Sequence, residues 1–190
     1  SSFTGTFNGG WTYASTGVTG NGTSGYFNTT LNLSTQTTLY NVHYTMYIRN
    51  NTDSGIDMGV TSNGYVNEGW MLARNTNQAL GGFYDNGGGM GSISASNFNS
   101  EGFYVNSILA SNNVFFKRNN TTLGTYTGTN TSTPANAQIY IGAINLNNAG
   151  LAFTNHEYAF GSIGDGLTDS EASNFYTAVQ AFQTTLSRQV

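Results

Sequence analysis

Apolar and polar side chains alternate along most of this chain, a pattern that predicts β-strands. The clearest case is the segment Asn41 to Asn50. One face would carry Val42, Tyr44, Met46 and Ile48, and the other His43, Thr45, Tyr47 and Arg49. The second face is polar and aromatic. It is therefore either a ligand-facing surface or a surface covered by a neighbouring loop or subunit.

Similar alternation predicts strands along the rest of the chain, separated by turns rich in Gly and Asn. The predicted strands are Ser1 to Tyr13, Tyr26 to Leu33, Ile56 to Val60, Trp70 to Ala73, Ala79 to Tyr84, Gly102 to Leu109, Val114 to Lys117, Thr121 to Tyr126, Gln138 to Asn145 and Tyr158 to Ile163. The loop Gly17 to Gly25 contains a G-x-G-x-x-G spacing, but a β-rich segment follows it. A dinucleotide site needs a helix there, so a simple turn is favoured.

Only the C-terminal segment shows a strong helical period. Thr168 and Glu171 form a capping box, which predicts a helix from Asp169 to Leu186. Its apolar stripe would consist of Ala172, Phe175, Tyr176, Val179, Phe182 and Leu186. Many short strands and one helix predict an all-β sandwich of two antiparallel sheets, as a single domain over residues 1–190.

Four segments carry a family resemblance: Gly20 to Ser34, Val42 to Asn50, Ile139 to Gly150 and the C-terminal run EYAFGSIGDGLTDSEASNFYTAVQAFQTTLSRQV. Together they resemble a family of bacteriophage tail and virion structural proteins. That resemblance implies a concanavalin A-like, laminin-G-like jelly roll closed by one C-terminal helix.

The resemblance also implies a function. The expected role is a non-enzymatic virion module, namely a tail-fibre or receptor-binding domain that attaches to host surface polysaccharide or glycoconjugate. The alternative is a structural or decoration domain that contacts other virion subunits. Either role places the domain on the extracellular virion surface, in a fibre expected to be a homotrimer.

Charge and composition exclude several other classes of protein. Only 7% of the 190 residues are charged, the net charge is −4, and the five basic residues are scattered. Nucleic-acid binding and membrane attachment are therefore disfavoured, and no apolar run is long enough to span a bilayer. Cysteine is absent, so thiolate metal sites are excluded. The chain begins at Ser1, so we expect a trimmed N-terminus or an excised domain.

Catalytic patterns are missing from the sequence. Its nine acidic residues form no E-x-D-x-E strand, G-x-S-x-G is absent, and His43 and His156 have no obvious serine partner. We therefore expect no enzymatic activity, no metal site and no cofactor. Calcium is the one alternative, at Asp53 to Asp57, Asp85-Asn86 or Asp165, although no EF-hand spacing occurs.

A sugar site needs exposed aromatic rings beside planar amides or carboxylates. Such groups coincide at Tyr65, Trp70, Arg74 and Asn75, and again at Tyr84 and Asp85 just before a glycine cluster. The alternative is that Trp70 and Tyr84 are core aromatics and their polar neighbours merely solvate turns. The next candidate surface is the polar face with His43, Tyr47 and Arg49.

Overall fold

The computed structural model describes residues 4–62, 66–85 and 92–190. In chain order, its elements are β1 (Thr6–Asn8), β2 (Trp11–Ala14), β3 (Gly17–Gly20), β4 (Tyr26–Asn32), α1 (Leu33–Gln36), β5 (Val42–Ile48), β6 (Met58–Ser62), β7 (Val66–Asn75), β8 (Gln78–Asp85), β9 (Ser92–Ser96), β10 (Gly102–Ala110), β11 (Asn113–Arg118), β12 (Thr121–Tyr126), β13 (Gln138–Ile141), β14 (Ile144–Leu146), β15 (Ala149–Leu151), β16 (Glu157–Gly164) and α2 (Asp169–Thr185).

The strands form two sheets. The nine-stranded sheet has the order β1-β4-β13-β6-β7-β8-β9, with β14 beside β6 and β15 beside β14. The seven-stranded sheet has the order β12-β11-β10-β5-β16-β3-β2. Their pairing is antiparallel except between β14 and β6, which run parallel. The predicted sandwich of two antiparallel sheets is confirmed.

Most buried apolar side chains lie between the sheets. All four residues that the alternation of β5 assigns to one face belong to this core: Val42, Tyr44, Met46 and Ile48. They meet Met58, Val60, Met71 and Phe83 of the nine-stranded sheet. Alternation along each strand therefore sends the intervening residues to the outer faces.

Helix α2 covers the outer face of the seven-stranded sheet. Ala172 and Val179 are buried there together with Tyr47, Phe103, Val105 and Phe115. The predicted capping box is present, with the Thr168 N–H donating to Glu171 at 2.8 Å and the Glu171 N–H donating to Thr168 Oγ1 at 3.3 Å. Neither helix in the described ranges is long and apolar enough to cross a membrane.

Several turns use asparagine in the left-handed region, as the sequence predicts. Asn119 and Asn120, with φ of 46° and 63°, join β11 to β12. Asn147 and Asn148, with φ of 53° and 65°, join β14 to β15. Asparagine adopts this region more readily than other non-glycine residues, so these hairpins are encoded locally.

Three strand predictions need correction. The segment Ser1 to Tyr13 contains two edge strands, β1 and β2, because Gly9 with φ of 69° turns the chain from one sheet to the other. The predicted loop Gly17 to Gly25 begins with β3 and turns only at its end. The predicted strand Gln138 to Asn145 is broken by Gly142, with φ of 82°, into β13 and β14.

Two further differences concern helices. The short helix α1 was not predicted, and it follows Asn32, whose side chain accepts hydrogen bonds from the Ser34 and Thr35 N–H groups. The predicted stripe of α2 is wrong at its C-terminal end. Phe182 and Leu186 are exposed, and Gln183 is buried in their place because it faces β16.

Candidate functional site

Trp70 lies at the centre of β7, on the outer face of the nine-stranded sheet. The next residue along the strand, Met71, belongs to the core between the sheets, so Trp70 lies on the opposite face. Gly59 of β6 lies opposite Trp70 on one side and Gly82 of β8 on the other. A Cβ atom at Gly59 would lie 3.0 Å from Trp70 Cβ. The indole is therefore flanked on both neighbouring strands by backbone without side chains.

A groove of about 420 Å³ opens beside this indole. We call it the Trp70 groove, and the described residues that line it are Ile56, Glu68, Trp70, Ile144, Leu151 and Ala152. They come from β7, from the segment before β6, and from the β14–β15 hairpin with the residue after it. Its volume is at the lower end of the range for small-molecule sites.

The rim of the groove depends on a close backbone approach. Ile56 donates its N–H to the carbonyl oxygen of Ala152 at 2.8 Å. A Cβ atom at Gly55 would lie 2.0 Å from that same oxygen, so only glycine allows the two segments to meet. Ala152 itself has φ of 50°, a strained conformation for alanine. The structure therefore maintains this rim at an energetic cost.

Two polar groups accompany the apolar lining. Glu68 is only 9% exposed and precedes Trp70 by two residues, so both side chains lie on the same face of β7. The indole Nε1 of Trp70 is buried and has no hydrogen-bond acceptor in the described part of the chain. A buried donor without an acceptor destabilises a fold by about 1–3 kcal/mol. A ligand oxygen would remove that penalty.

Two other predicted site residues support the rim instead of lining the groove. Arg74 donates from Nη1 to Asn51 Oδ1 at 2.8 Å and from Nη2 to Asn77 Oδ1 at 3.0 Å. Asn75 donates from Nδ2 to the carbonyl oxygen of Ser54 at 2.7 Å. These contacts attach the segment before β6 to the end of β7. Both side chains therefore position the rim.

Tyr84 does not contribute to this surface, contrary to the prediction. It is fully buried, and its ring packs edge-on against Tyr40 at 5.4 Å. The pairing of β7 with β8 shifts by one residue at this point, and Tyr84 has φ of 58°. Such a bulge redirects a side chain, which here turns the tyrosine into the core. Burial also raises the pKa of its hydroxyl to about 12.

The remaining predicted residues are only partly described. Asp85 ends β8 opposite Glu68 in the strand register. Tyr65 and the glycine cluster after Asp85, including Asn86, lie outside the described residues. The structure therefore brings Trp70 together with Glu68, places Arg74 and Asn75 behind the rim, and separates all of them from Tyr84.

The polar face of β5 is covered, as one of the two alternatives expected, but the cover is helix α2 of the same chain and not a loop or a subunit. Tyr47 is fully buried and donates to Gln180 Oε1 at 3.2 Å. Arg49 forms an ion pair with Glu157 at 3.2 Å. This face is unavailable to a ligand while the helix is docked.

His43 does have a serine partner, which the sequence did not indicate. Its Nε2 lies 3.0 Å from Ser162 Oγ, and its Nδ1 lies 2.6 Å from the carbonyl oxygen of Asp165. Burial lowers the pKa of His43, although the contact with Asp165 opposes that effect. Thr45 Oγ1 lies 2.7 Å from the same serine oxygen. The network connects β5, β16 and the segment before α2, and Phe175 of the helix packs against the imidazole.

In the predicted calcium-binding loop Asp53 to Asp57, both carboxylates are engaged by protein groups. Asp53 accepts the Thr76 N–H at 2.7 Å. Asp57 is fully buried and accepts from Ala73, His156 and Tyr158. Within the described ranges, no three His, Cys, Asp or Glu side chains gather closely enough to hold a metal ion.

A second opening of about 360 Å³ lies where the two sheets part beside β1 and β2. We call it the edge cleft, and its lining includes Phe7, Trp11, Phe27, Tyr158 and Arg188. Phe7 is 43% exposed, but the indole of Trp11 already donates to the carbonyl oxygen of Asn8 at 3.0 Å. The edge cleft is therefore aromatic, but its indole N–H already has an acceptor, unlike that of Trp70.

Sequence reasoning missed the apolar half of the Trp70 groove. Ile56, Ile144, Leu151 and Ala152 lie far from Trp70 along the chain and show no pattern that links them to it. The one available signal was Leu151, an apolar residue soon after an Asn-rich turn. It is 38% exposed in the folded domain.

No known family description and no curated protein matches this sequence. Solved structures do match its fold. Domain 4 of AbnA, a GH43 extracellular arabinanase from Geobacillus stearothermophilus in complex with arabinotriose, aligns with a TM-score of 0.60 at 14% identity, covering 90% of this chain and 87% of that domain. The CBM40 of the Ruminococcus gnavus IT-sialidase, bound to α2,3 sialyllactose, aligns with a TM-score of 0.53 at 9% identity, covering 76% and 83%.

A third match is the NanB sialidase from Streptococcus pneumoniae, with a TM-score of 0.58 at 14% identity. The alignment covers 73% of this chain but only 24% of the sialidase. Identities this low establish the fold alone. The predicted jelly-roll sandwich with one C-terminal helix is therefore confirmed.

Proposed function

We propose that this chain is a carbohydrate-binding domain and that the Trp70 groove is its sugar site. The observation that carries the proposal is the position of Trp70. Its indole is flanked by Gly59 and Gly82, with Glu68 beside it and an unsatisfied N–H. A sugar ring stacks its C–H face on an aromatic ring, and its hydroxyls pair with carboxylate and amide groups.

The fold neighbours support this proposal without deciding it. Two of them were solved with a bound oligosaccharide, arabinotriose or sialyllactose. A jelly roll can serve many functions, so the side chains of the groove must supply the specificity for sugar. Those side chains resemble a binding site more than a catalytic one. Among the described carboxylates, Asp57 is engaged in the core, Glu157 is paired with Arg49, and Glu171 caps α2.

The biological setting follows from the sequence resemblance alone. On that basis we propose a bacteriophage tail-fibre or receptor-binding domain, exposed on the virion, that docks to host surface polysaccharide. The second candidate is a structural or decoration domain that contacts other virion subunits. The exposed apolar side chains of Phe182 and Leu186 on α2 favour that alternative, since they would suit a protein contact.

Glycan-array binding with the purified domain tests the proposal. We expect binding to at least one host-type glycan and its loss in Trp70→Ala, with an unchanged thermal melt. Tyr13→Ala is the matched control because Tyr13 is 62% exposed and belongs to the aromatic cluster at the edge cleft. If Tyr13→Ala abolishes binding and Trp70→Ala does not, the site assignment is wrong. If no glycan binds, the structural alternative gains support.

A further inference from the structure

Among the described residues that line the Trp70 groove, one side chain is ionisable, and it is acidic. Glu68 is the only charged residue of these six. We infer that this site selects neutral sugars and rejects acidic ones such as sialic and uronic acids. The inference rests on the proposed function and extends it by naming the class of ligand.

The basic residues of the chain are all engaged elsewhere. All five lie in the described ranges, and each donates to a protein oxygen. The partners are Glu157 and the Arg188 carbonyl for Arg49, Asn51 and Asn77 for Arg74, Asp169 for Lys117, Asn97 and the Glu101 carbonyl for Arg118, and the Ser15 carbonyl for Arg188. No guanidinium or ammonium group therefore lines the groove.

Recognition of an acidic sugar requires such a cation. A carboxylate is bound most effectively by the paired N–H groups of arginine, and burial beside another carboxylate is unfavourable for both charges. The neutral hydroxyl groups of a sugar need no cation and are stabilised beside a carboxylate. They donate to a carboxylate such as Glu68 and can accept from the indole N–H of Trp70. The charge in the groove therefore complements hydroxyl donors and repels anions.

This inference separates the present chain from part of its structural neighbourhood. One neighbour was solved with arabinotriose, a neutral sugar, and another with sialyllactose, which carries a carboxylate. The fold accommodates both kinds of ligand, so it does not determine the choice. In this chain the side chains beside the aromatic ring determine it.

Binding of matched sugar pairs tests the inference. The probes are neutral trisaccharides of arabinose, galactose, glucose and mannose, lactose against sialyllactose, and trigalacturonate against its methyl ester. The ester removes the charges and keeps the sugar ring. We expect the neutral member of each pair to bind at least about tenfold more tightly. We also expect the affinity for neutral sugars to change little between 50 and 500 mM salt, a range over which the Debye length falls from about 14 Å to about 4 Å.

Two variants complete the test. Trp70→Ala should abolish binding of the neutral sugar, and Glu68→Gln should narrow the difference between trigalacturonate and its ester. The salt series on the unmodified domain needs no variant, so it remains informative if Glu68→Gln unfolds. Tighter binding of an acidic sugar that is lost in Trp70→Ala overturns the inference and leaves the proposed function intact. Sugar binding that survives Trp70→Ala, or no sugar binding at all, overturns both.

Discussion

Nδ1 of His156 lies 2.6 Å from Oδ1 of Asp57, and both side chains are fully buried. The other imidazole nitrogen lies 3.1 Å from the carbonyl oxygen of Thr52, so each ring nitrogen faces an acceptor. Tyr158 donates to the same carboxylate oxygen at 2.8 Å, and the Ala73 N–H donates to Oδ2 at 2.6 Å. This cluster connects the two sheets at one end of the sandwich.

The cluster predicts a pH dependence of stability. Burial lowers the pKa of His156, but the charge of Asp57 and the hydrogen bonds to Asp57 and Thr52 outweigh that effect, so the pKa lies above its ordinary 6.5. A raised pKa contributes stability that is fully present below pH 6.5 and is lost as the pH rises through the folded-state value. His43 acts in the opposite sense. Its lowered pKa makes stability fall as the pH drops below 6.5.

We therefore expect the free energy of unfolding to pass through a maximum near the ordinary histidine pKa. Urea unfolding between pH 5 and 9 measures it. His156→Gln should flatten the alkaline side of the profile and His43→Gln the acidic side, whatever their effects on absolute stability. If the free energy of unfolding of His156→Gln still falls with the same slope above pH 6.5, the role assigned to His156 and Asp57 is wrong.

A second prediction concerns the docking of α2. Phe175 packs edge-on against Phe103 and Phe160, at ring distances of 5.5 Å and 5.8 Å. Phe175→Ala should lower the free energy of unfolding by about 3 kcal/mol because it leaves a cavity under the helix. Phe182→Ala is the matched control. Phe182 is 49% exposed on the same helix, so its loss should change stability by less than about 0.5 kcal/mol. Equal effects in chemical denaturation would mean that the helix docks on another face.

The capping box gives a third prediction. Thr168→Ala should destabilise the domain by about 0.5–2 kcal/mol because the Glu171 N–H loses its acceptor. The same substitution at Thr177, which is exposed in the middle of the helix, should be neutral or slightly stabilising since alanine has the higher helix propensity. Thermal melts in which Thr168→Ala lowers the melting temperature and Thr177→Ala does not would identify Thr168 as the helix cap. A loss of stability in both variants would point to threonine contacts unrelated to it.

A fourth prediction tests the strained rim of the Trp70 groove. Ala152 has φ of 50°, where alanine is disfavoured by about 1–2 kcal/mol and glycine is not. Glycine also raises the entropy of the unfolded chain, which offsets part of this gain, and Ala152→Gly should therefore stabilise the domain by no more than about 1 kcal/mol. Ala149→Gly, in β15 of the same hairpin, should instead destabilise by about 0.5–1 kcal/mol. The denaturant midpoints of the two variants measure these effects. If both variants are less stable than the unmodified domain, residue 152 is not strained.

Local patterns predicted much of the architecture because they act over a few residues. The alternation of β5, the capping box of α2 and the asparagine turn at Asn119 are each visible in a short window and are each present in the fold. Predictions failed where one residue changed the direction of the chain. Gly9 and Gly142 split predicted strands, and the bulge at Tyr84 reversed the face of a side chain. The alternation of apolar and polar residues does not reveal a change of direction at a single residue.

The site shows the same division. The sequence by itself determined most of the strands and turns and the helix with its cap, and it singled out Trp70 as an aromatic group suited to a sugar. Those features depend on residues close together in the chain. Only the tertiary structure decided that Tyr84 is buried, that α2 covers the polar face of β5, and that Ile144 and Leu151 complete a groove with Trp70. Long-range packing brings those groups together, and its energy depends on neighbours that no local pattern specifies.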